Sequence, residues 1–517
     1  MALGVICAWL RNDLRVHDSP VLHRASQLAK EKQLPVLPVY VFDPRHFQRT
    51  GSGVWKTGAF RALFLLQSVR VLKRRLRSVG SDLLVKVGKP EELLPELLDK
   101  GSMVVTQEEV TSEELDVDRA LQRAVGAEAL EYCWGSTLFH RDDLPFKDLR
   151  NAPDVFTVFK NQVEPEMAAR VNEVPDSFRG GKKAKSDMKV RPCLPEPGAG
   201  SLPLPELGAG LEFDLVFEPQ WQDLPYPEQV EPPEVEGAAL HFEGGEEAAL
   251  ARLRHYLFDT DAVASYFDTR NGMLGPDYST KLAPWLAHGC VSPGKVFEQI
   301  REYEKERVAN KSTYWVLFEL MWRDFYRFFA AKHGNKIFQL HGLGGGRAAW
   351  KSDKEAFQLW AEGRTGFPLV DANMRELRAT GFMSNRGRQN VASFLALDMG
   401  LDWRDGAEWF ESYLLDYDVA SNWGNWLAAA GQTTGRVNRF NVIRQSTTYD
   451  KEGRYIRHWI PELRNVPVRF IHQPWTMSPE EKVQFGAEGS DLEDESFERL
   501  YLALQVPFLR STWIASC

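Results

Sequence analysis

Four residues of one C-terminal segment have the types and the spacing to bind a polar ligand. Glu319, Trp322, Arg323 and Tyr326 fall at i, i+3, i+4 and i+7, so on a helix they share one face. That face would carry a carboxylate, a guanidinium and two aromatic rings. A solvent-exposed face of salt bridges explains this stretch equally well, so the segment alone does not decide between binding and surface structure.

A second segment predicts a polar face that points inward. Asn385, Arg388, Gln389 and Ala392 share a helix face by the same spacing, and the helix then becomes apolar over Val391–Leu397. This change predicts that the polar start of the helix faces an internal pocket. A buried arginine needs an anionic partner, because an unpaired charge is costly to remove from water.

A third segment supplies carboxylates for such a partner. Asp416 and Asp418 precede Asn422 and Trp426, which lie one helical turn apart. Paired carboxylates could serve glycoside hydrolysis or metal binding. The neighbouring amides and arginines fit better as hydrogen-bonding groups around a heterocycle, so we expect a polar, tryptophan-lined pocket without a metal.

A fourth segment, Tyr278–Leu282, is a turn with two hydroxyls and a lysine just before a predicted helix. The start of a helix can bind phosphate through its backbone N–H groups. A simple N-cap explains the same residues, so this signal is weak alone.

The strands and helices predicted over residues 4 to about 135 would position any site in the N-terminal half. Strand-like runs alternate there with helical patterns such as Phe60–Arg77, which predicts a doubly wound, Rossmann-like parallel sheet. The predicted strands are Val5–Leu10, Val36–Phe42, Leu83–Val87, Val104–Thr106 and Leu130–Trp134. Ligands bind such sheets at the carboxyl ends of the strands. The candidates at those ends are Arg11, Asn12, Asp13, Glu108 and Glu109. No GxGxxG or P-loop follows the first strand.

The remainder of the sequence predicts a connector, an all-helical domain and a C-terminal extension. Residues from about 140 to 235 are rich in proline, glycine and charge, which is typical of a long, partly ordered connector. From about 245 onward the pattern is all-helical, and the tail after about 475 is acidic and then amphipathic over Phe497–Leu509. We therefore expect domains over 1–135 and 241–475, a connector over 136–240 and an extension over 476–517. The connector's basic residues could contact phosphates, although a solvated loop explains them as well. They are Lys182, Lys183, Lys185, Lys189 and Arg191.

Length and composition limit the class of protein. A chain of 517 residues is too long for one hydrophobic core, and 43% hydrophobic and 26% charged residues describe an ordinary soluble protein. No apolar run is long enough for a bilayer and no secretory signal is visible, so we expect no membrane association. Five dispersed cysteines without a CxxC pair favour a reducing intracellular compartment. A net charge of -9 means that DNA binding would need a local basic patch.

Four motifs closely resemble the photolyase–cryptochrome family, and within it the DASH cryptochromes. They are Leu10–Arg15, Glu108–Glu114, Asp142–Phe146 and Met383–Asn390. The run from Glu109 to Glu114 and the Met383–Asn390 motif are highly specific to the DASH branch. The resemblance covers nearly the whole chain to about residue 465. It implies an α/β antenna domain followed by an all-helical FAD-binding domain.

The resemblance also implies roles for individual residues around a flavin. Arg388 and Asp416 should pair against the isoalloxazine, Asp418 should meet its polar edge, and Asn385 and Asn422 should lie near N5. An amide at N5 has no proton to supply, which suits a FAD held in its reduced, electron-donating state. The residues expected to hold the phosphates and the ribityl chain are Tyr266, Ser279, Thr280, Lys281, Leu282 and Arg323.

Further roles follow from the same resemblance. Glu319 and Trp322 look like the residues that grip a cyclobutane pyrimidine dimer, and Glu109 matches the carboxylate that binds a 5,10-methenyltetrahydrofolate antenna. The chain that carries an electron from the surface to the flavin would be Trp426, Trp403 and Trp350, with Trp360 as a side branch. For each tryptophan taken alone, structural packing explains its presence.

Two departures from the family pattern fall beside the expected substrate pocket. The large aromatic residue that helps to clamp the flipped dimer is replaced by Ala428, and the Asn-Asp-Pro-Arg loop is replaced by Gly431–Arg436. Base stacking on an aromatic side chain contributes about 1–3 kcal/mol. These departures put the repair activity in more doubt than the flavin.

Three hypotheses for function therefore stay open. The first is a blue-light-driven photolyase that splits pyrimidine dimers, preferentially in single-stranded DNA, with RNA as a further candidate partner and a monomer as the expected state. The second is a blue-light photoreceptor with little or no repair activity. Ala428 favours the photoreceptor, and Asn422 favours the enzyme. The third is a flavoprotein with neither role.

Overall fold

The N-terminal half is built on a five-stranded parallel sheet. The computed structural model describes residues 4–164, 190–205, 214–226, 231–344 and 349–486. The strand order is β3-β2-β1-β4-β5. The strands are β1 (Ile6–Leu10), β2 (Val36–Phe42), β3 (Leu84–Val87), β4 (Met103–Gln107) and β5 (Leu130–Cys133). The predicted doubly wound sheet is confirmed, and each predicted strand is found to within one residue at either end.

Helices cover both faces of this sheet. They are α1 (Pro20–Lys32), α2 (Ala59–Ser78), α3 (Pro90–Glu96) and α4 (Ser112–Val125). Successive side chains of a strand point to opposite faces. Ile6 and Ala8 accordingly join the core that includes α1 and α2, and Cys7 and Trp9 join the core of α3 and α4. Both faces are buried, which is why β1 and β2 are apolar at nearly every position.

The described part of the segment after β5 includes a helix that packs into the core. The helix is α5 (Phe156–Val163), whose Phe156, Phe159 and Val163 are buried. Arg191 pairs with Asp143 at 2.6 Å. The four lysines of the basic run, for which a solvated loop is the favoured interpretation over phosphate contact, lie outside the described residues, as does the amphipathic tail.

The C-terminal half is helical, as expected. Its helices are α6 (Glu246–Arg254), α7 (Tyr266–Thr269), α8 (Ala283–Ala287), α9 (Pro293–Glu306), α10 (Lys311–His333), α11 (Lys354–Glu362), α12 (Pro368–Thr380), α13 (Asn385–Ser393), α14 (Trp403–Tyr413), α15 (Val419–Ala429), α16 (Val442–Tyr449), α17 (Arg454–Trp459), α18 (Val468–Ile471) and α19 (Pro479–Phe485). Helix α10 packs against α15 so closely that a Cβ at Gly424 would overlap the ring of Tyr326.

Buried carboxylates attach the helical half to the sheet. Asp324 on α10 accepts hydrogen bonds from the backbone N–H groups of Leu138 (2.9 Å) and Phe139 (2.8 Å). Glu246 on α6 accepts the N–H groups of Val16 and His17, each at 2.9 Å. A buried carboxylate needs such partners, so these bonds fix how the two halves meet. Within the described part of the chain, none of the helices is both long and apolar enough to span a membrane.

Candidate functional site

One large cavity opens among the helices of the C-terminal half. Its volume is about 910 Å³, near the top of the range of about 300–1,000 Å³ that is usual for ligand sites. The structure brings all of the predicted flavin ligands to its wall: Tyr266, Ser279, Thr280, Lys281, Leu282, Arg323, Asn385, Arg388, Asp416, Asp418 and Asn422. Glu319, Trp322, Trp426 and Ala428 line it too. The shared helix faces expected from spacing therefore converge on one space.

The two positions predicted to pair are joined by an ion pair. Arg388 Nη2 lies 2.7 Å from Asp416 Oδ2, and Arg388 Nε donates to the carbonyl oxygen of Met383 at 3.0 Å. The Asp416 side chain is only 2% exposed, whereas that of Arg388 is 26% exposed. Asp416 thus anchors the guanidinium, whose free side remains available to a ligand in the cavity.

The start of α15 places one amide and one carboxylate at the same wall. Asn422 Nδ2 donates to the carbonyl oxygen of Ala407 at 3.1 Å, so the amide keeps its oxygen as an acceptor. Asp418 caps the helix by accepting the N–H of Ser421 at 2.7 Å. Burial alone would raise the pKa of Asp418, but Arg323 and the Ser421 hydrogen bond lower it below its ordinary value. Asp418 is therefore an ionised acceptor.

The hydroxyl-rich turn is held in place by an arginine that the sequence did not single out. Arg252 donates to the carbonyl oxygens of Thr280 (2.9 Å) and Ser279 (3.1 Å). Lys281 adopts a left-handed backbone with φ of 53°, and its Nζ lies 3.1 Å from the centre of the Tyr278 ring. Burial lowers the pKa of Lys281 to about 6. An anion bound beside Lys281 would restore its charge.

Glu319 lies at the same wall with two donors. Arg270 Nη1 is 3.2 Å and Trp315 Nε1 is 3.1 Å from Glu319 Oε1. Burial raises the pKa of Glu319, with Arg270 acting in the opposite direction. Burial therefore makes the protonated form of Glu319 easier to reach than that of an exposed glutamate.

Trp322 is supported by a ring from the connector. The rings of Phe156 and Trp322 stack with centroids 3.6 Å apart and an interplanar angle of 9°. Tyr326 stacks on Trp322 at 5.8 Å. Phe156 also lines the cavity, and nothing in the composition of its segment pointed to this role. One aromatic wall is therefore rigid, whereas Ala428 offers no ring.

The predicted electron-transfer tryptophans lie in two separate ring contacts, one at Trp426 and one at Trp403. Trp426 contacts Trp360 with ring centroids 6.1 Å apart. Trp403 contacts Trp423 at 5.8 Å and donates to the carbonyl oxygen of Leu340 at 3.0 Å. Trp350 is partly buried just before the backbone bridge between Lys351 and Leu401. The direct partner of Trp426 is thus the residue expected only as a side branch.

Glu109 lies away from the cavity wall, at the carboxyl edge of the sheet. Its side chain is 3% exposed, and its Oε2 pairs with Arg327 Nη2 at 2.8 Å. Gln107 Nε2 donates to its other oxygen at 3.0 Å. Burial raises the pKa of Glu109, but Arg327 and Arg11 bring it below the ordinary value. Glu109 is therefore an ionised acceptor at the junction of the two halves.

Several buried polar atoms of the cavity wall have no hydrogen-bond partner among the described residues. They are Asp416 Oδ1, Lys281 Nζ, Tyr278 OH and Arg270 Nε. Buried polar groups are normally satisfied, so a polar ligand is expected to complete them. A long ligand with an anionic part and a hydrogen-bonding ring fits this donor and acceptor set, and FAD has that chemistry.

Comparison with known proteins agrees with this fit. Residues 6–176 match the DNA photolyase family model, and residues 315–494 match the FAD binding domain of DNA photolyase. A cryptochrome DASH of Ostreococcus tauri, described as chloroplastic/mitochondrial, is 50% identical over 491 residues, 91% of this chain and 86% of that protein. The chain belongs to the cryptochrome DASH family.

Other members of the family match this chain along nearly its full length. The cryptochrome DASH of Xenopus laevis is 49% identical over 482 residues, 92% of this chain and 86% of that protein. The crystal structure of the Synechocystis sp. PCC6803 cryptochrome superposes with a TM-score of 0.85 at 43% identity, covering 97% of this chain and all of that one. The helical half is therefore a photolyase-type FAD-binding domain.

Proposed function

We propose that this DASH cryptochrome is a FAD-dependent, blue-light-driven photolyase that splits cyclobutane pyrimidine dimers, preferentially in single-stranded DNA. The observation that carries the proposal is the shared cavity, where Glu319 and Trp322 line the same space as the Arg388–Asp416 pair. When bound, reduced FAD supplies the light-driven electron that opens the cyclobutane ring and is then returned.

The residues proposed around the isoalloxazine favour its reduced state. The Arg388 guanidinium, held by Asp416, would stabilise negative charge in a site with little water. Asn422 presents an oxygen because the carbonyl of Ala407 occupies its N–H. An amide oxygen accepts a hydrogen bond and cannot supply a proton, which supports an electron-donating flavin.

The residues proposed to hold the phosphates and the ribityl chain lie on the other elements of the wall. The turn Ser279–Leu282, held by Arg252, presents its hydroxyls, its N–H groups and Lys281 to the cavity. Arg323 is fixed by the carbonyl oxygens of Ser136 and Leu286. A phosphate beside Lys281 would favour its charged form and satisfy a buried amine.

The residues proposed for the dimer act by hydrogen bonding and stacking. Protonated Glu319 would donate to a pyrimidine carbonyl, and the ring of Trp322, held by Phe156, would cover one base. Flipping a dimer out of the stack costs least in a single strand. Together with the net charge of -9, which weakens general attraction to DNA, this supports single-stranded DNA as substrate. RNA stays a further candidate partner, and a monomer the expected state.

We also propose a 5,10-methenyltetrahydrofolate antenna beside Glu109. The carboxylate is ionised and lies where sheet ligands bind, at the carboxyl end of β4. Its bond to Arg327 also connects this position to α10, the helix that carries Glu319 and Trp322. An additional near-ultraviolet band in the absorption spectrum of the purified protein, lost in Glu109→Gln, would support the antenna.

Repair is tested by illumination of the purified, pre-reduced protein with a single-stranded oligonucleotide that contains one thymine dimer. We expect blue light to restore intact thymines, measured by chromatography, and Trp322→Leu to reduce the restoration. Trp221→Leu is the control, since Trp221 is buried in the connector and packs on Tyr226. No restoration by the wild-type protein under light would reject the repair function.

Ala428 favours a second candidate, a photoreceptor with little repair activity. In that case light would reduce oxidised FAD with electrons from Trp426, and a conformational change would follow. Trp426→Phe should abolish photoreduction yet spare repair by the pre-reduced protein. Absorption spectra before and after blue light distinguish the candidates, because photoreduction without repair favours the photoreceptor.

A further inference from the structure

We propose that Trp426 is re-reduced along a second aromatic route, through Trp360 and across Phe357 to Trp409 and Tyr413. This inference rests on the proposed flavin photochemistry and extends the side branch expected at Trp360 beyond that residue, through ring contacts that the family resemblance did not name. The route begins at the cavity wall and ends at a partly exposed tyrosine.

Direct ring contacts form the inner part of the route. Trp426 and Trp360 meet edge to face with centroids 6.1 Å apart. Trp360 contacts Phe357, one helical turn earlier on α11, at 5.6 Å. Trp360 is fully buried and Trp426 is 2% exposed. An electron can therefore pass between these rings without crossing water.

The outer part of the route lies on α14. Phe357 contacts Trp409 at 6.0 Å, and Trp409 contacts Tyr413, one turn later, at 4.7 Å. Trp409 is 8% exposed, and Tyr413 is more exposed than Trp409. The phenylalanine is not oxidised; its ring fills the gap between two indoles. Among the three residues that would be oxidised, exposure rises from Trp360 to Trp409 to Tyr413, and the intervening Phe357 is partly exposed.

The surroundings of the indole N–H groups favour transfer over proton loss. None of the described residues accepts a hydrogen bond from Trp426 Nε1 or Trp409 Nε1, and both atoms are buried. Trp360 Nε1 donates to the carbonyl oxygen of Val391 at 3.1 Å, a poor base. An oxidised indole in such a place keeps its proton and stays a strong oxidant. Tyr413, which reaches solvent, can release its proton to water.

The electron count of the route is balanced. Trp426 gives one electron to the light-excited oxidised flavin and receives one from Trp360. Trp360 is refilled by Trp409, and Trp409 by Tyr413, whose phenol loses a proton to water. The net change moves one electron from Tyr413 to the flavin and one proton to solvent. An added thiol reductant then restores the tyrosine.

The test blocks each branch separately in the FAD-loaded protein. The variants are Trp403→Phe, the double Trp409→Phe/Tyr413→Phe, and their combination. We expect Trp403→Phe to keep a measurable yield of photoreduction and the combined variant to lose about tenfold or more of that remainder. In Trp403→Phe, transient absorption and electron paramagnetic resonance should detect a tyrosyl radical that is lost when Tyr413→Phe is added.

Three results would overturn the branch. The first is complete loss of photoreduction in Trp403→Phe. The second is an unchanged yield when Trp409→Phe/Tyr413→Phe is added to Trp403→Phe. The third is the absence of a tyrosyl radical in Trp403→Phe. Trp221→Phe should leave every reading unchanged, and FAD content and melting temperature check that each variant is folded. If the wild-type protein does not photoreduce, the proposed flavin photochemistry fails together with the branch. If the wild-type protein does photoreduce, the variants test the branch alone.

Discussion

The cavity has two ends that are built in different ways. At the flavin end, formed by Arg388, Asp416, Asp418 and Asn422, each side chain is held by a partner at 2.7–3.1 Å. The mouth is formed by Glu319, Trp322, Ala428 and Gly431–Arg436. It has one stacked aromatic wall at Trp322, an alanine at position 428 and a loop that is exposed from Thr434 onward.

This difference separates two requirements of a light-driven enzyme. Under the proposed function, the preorganised charges at the flavin end would bind and tune the cofactor without reorganisation during the reaction. Under the proposed function the mouth would admit a flipped dimer, and the affinity for that dimer would depend on the stacking surface. The chain therefore retains the groups for a flavin while it lacks one wall for a dimer. Changes at the flavin end should abolish function, and changes at the mouth should tune it.

The largest effect is expected from Asp416→Asn. Loss of the carboxylate leaves Arg388 without its anchor, and breaking a buried ion pair costs about 3–5 kcal/mol. We expect FAD affinity, measured by titration of the apoprotein, to fall at least about 100-fold. Asp398→Asn is the matched control, because Asp398 is 1% exposed and pairs with Arg439 at the same 2.7 Å away from the cavity. Equal FAD loss in both variants would contradict a special flavin end.

Restoring an aromatic wall should have the next largest effect. Ala428→Trp adds a second stacking surface to the cavity that Trp322 lines, worth about 1–3 kcal/mol. We expect affinity for a single-stranded oligonucleotide with a thymine dimer to rise about tenfold, measured by fluorescence anisotropy against the undamaged oligonucleotide. Glu355→Trp, at an exposed position of α11, controls for nonspecific stickiness. No selective gain would mean that the missing ring does not limit the mouth.

Periodicity in the sequence predicted the strands and the helix faces of the flavin end. Arg388, Gln389 and Ala392 line the cavity because residues three and four apart share a helix face. The need for an anionic partner followed from the cost of a buried guanidinium, and the pairing of Arg388 with Asp416 was implied by the family resemblance. Such local rules state which face is buried, and for an arginine they also state what kind of partner it needs.

The residues that support the mouth and the Ser279–Leu282 turn could not be predicted in the same way. Phe156 comes from a segment rich in proline and charge, and its stacking on Trp322 joins residues far apart in sequence. Arg252 and Arg270 also act through tertiary contacts, on the turn at Ser279 and on Glu319. Helical spacing encodes a face but no partner, so these contacts required the folded chain.

Removing the ring that supports Trp322 should have a moderate effect on dimer affinity. Phe156→Leu removes the ring beneath Trp322, and an aromatic pair is worth about 0.5–1.5 kcal/mol beyond its buried area. We expect dimer affinity to fall several-fold with FAD content unchanged. Phe159→Leu is the control, because Phe159 is buried in the same helix but packs on Phe325 and Phe328. The prediction fails if both variants weaken dimer binding equally, since the loss would then be general to α5.

The smallest effect is expected in the pH dependence of dimer affinity at the mouth. Burial raises the pKa of Glu319 above its ordinary value of 4.5, with Arg270 opposing. The protonated, donating form is therefore fully present below 4.5 and is lost as pH rises through the raised pKa. Dimer affinity should decrease over that rise by a few-fold, since a hydrogen bond contributes about 0.5–1.5 kcal/mol. Glu319→Gln keeps a donor at every pH and should flatten the profile, whereas Glu304→Gln, a change on the preceding helix α9, should not. A profile that persists in Glu319→Gln would assign the titration to another group and leave the mouth without a proton-dependent contact.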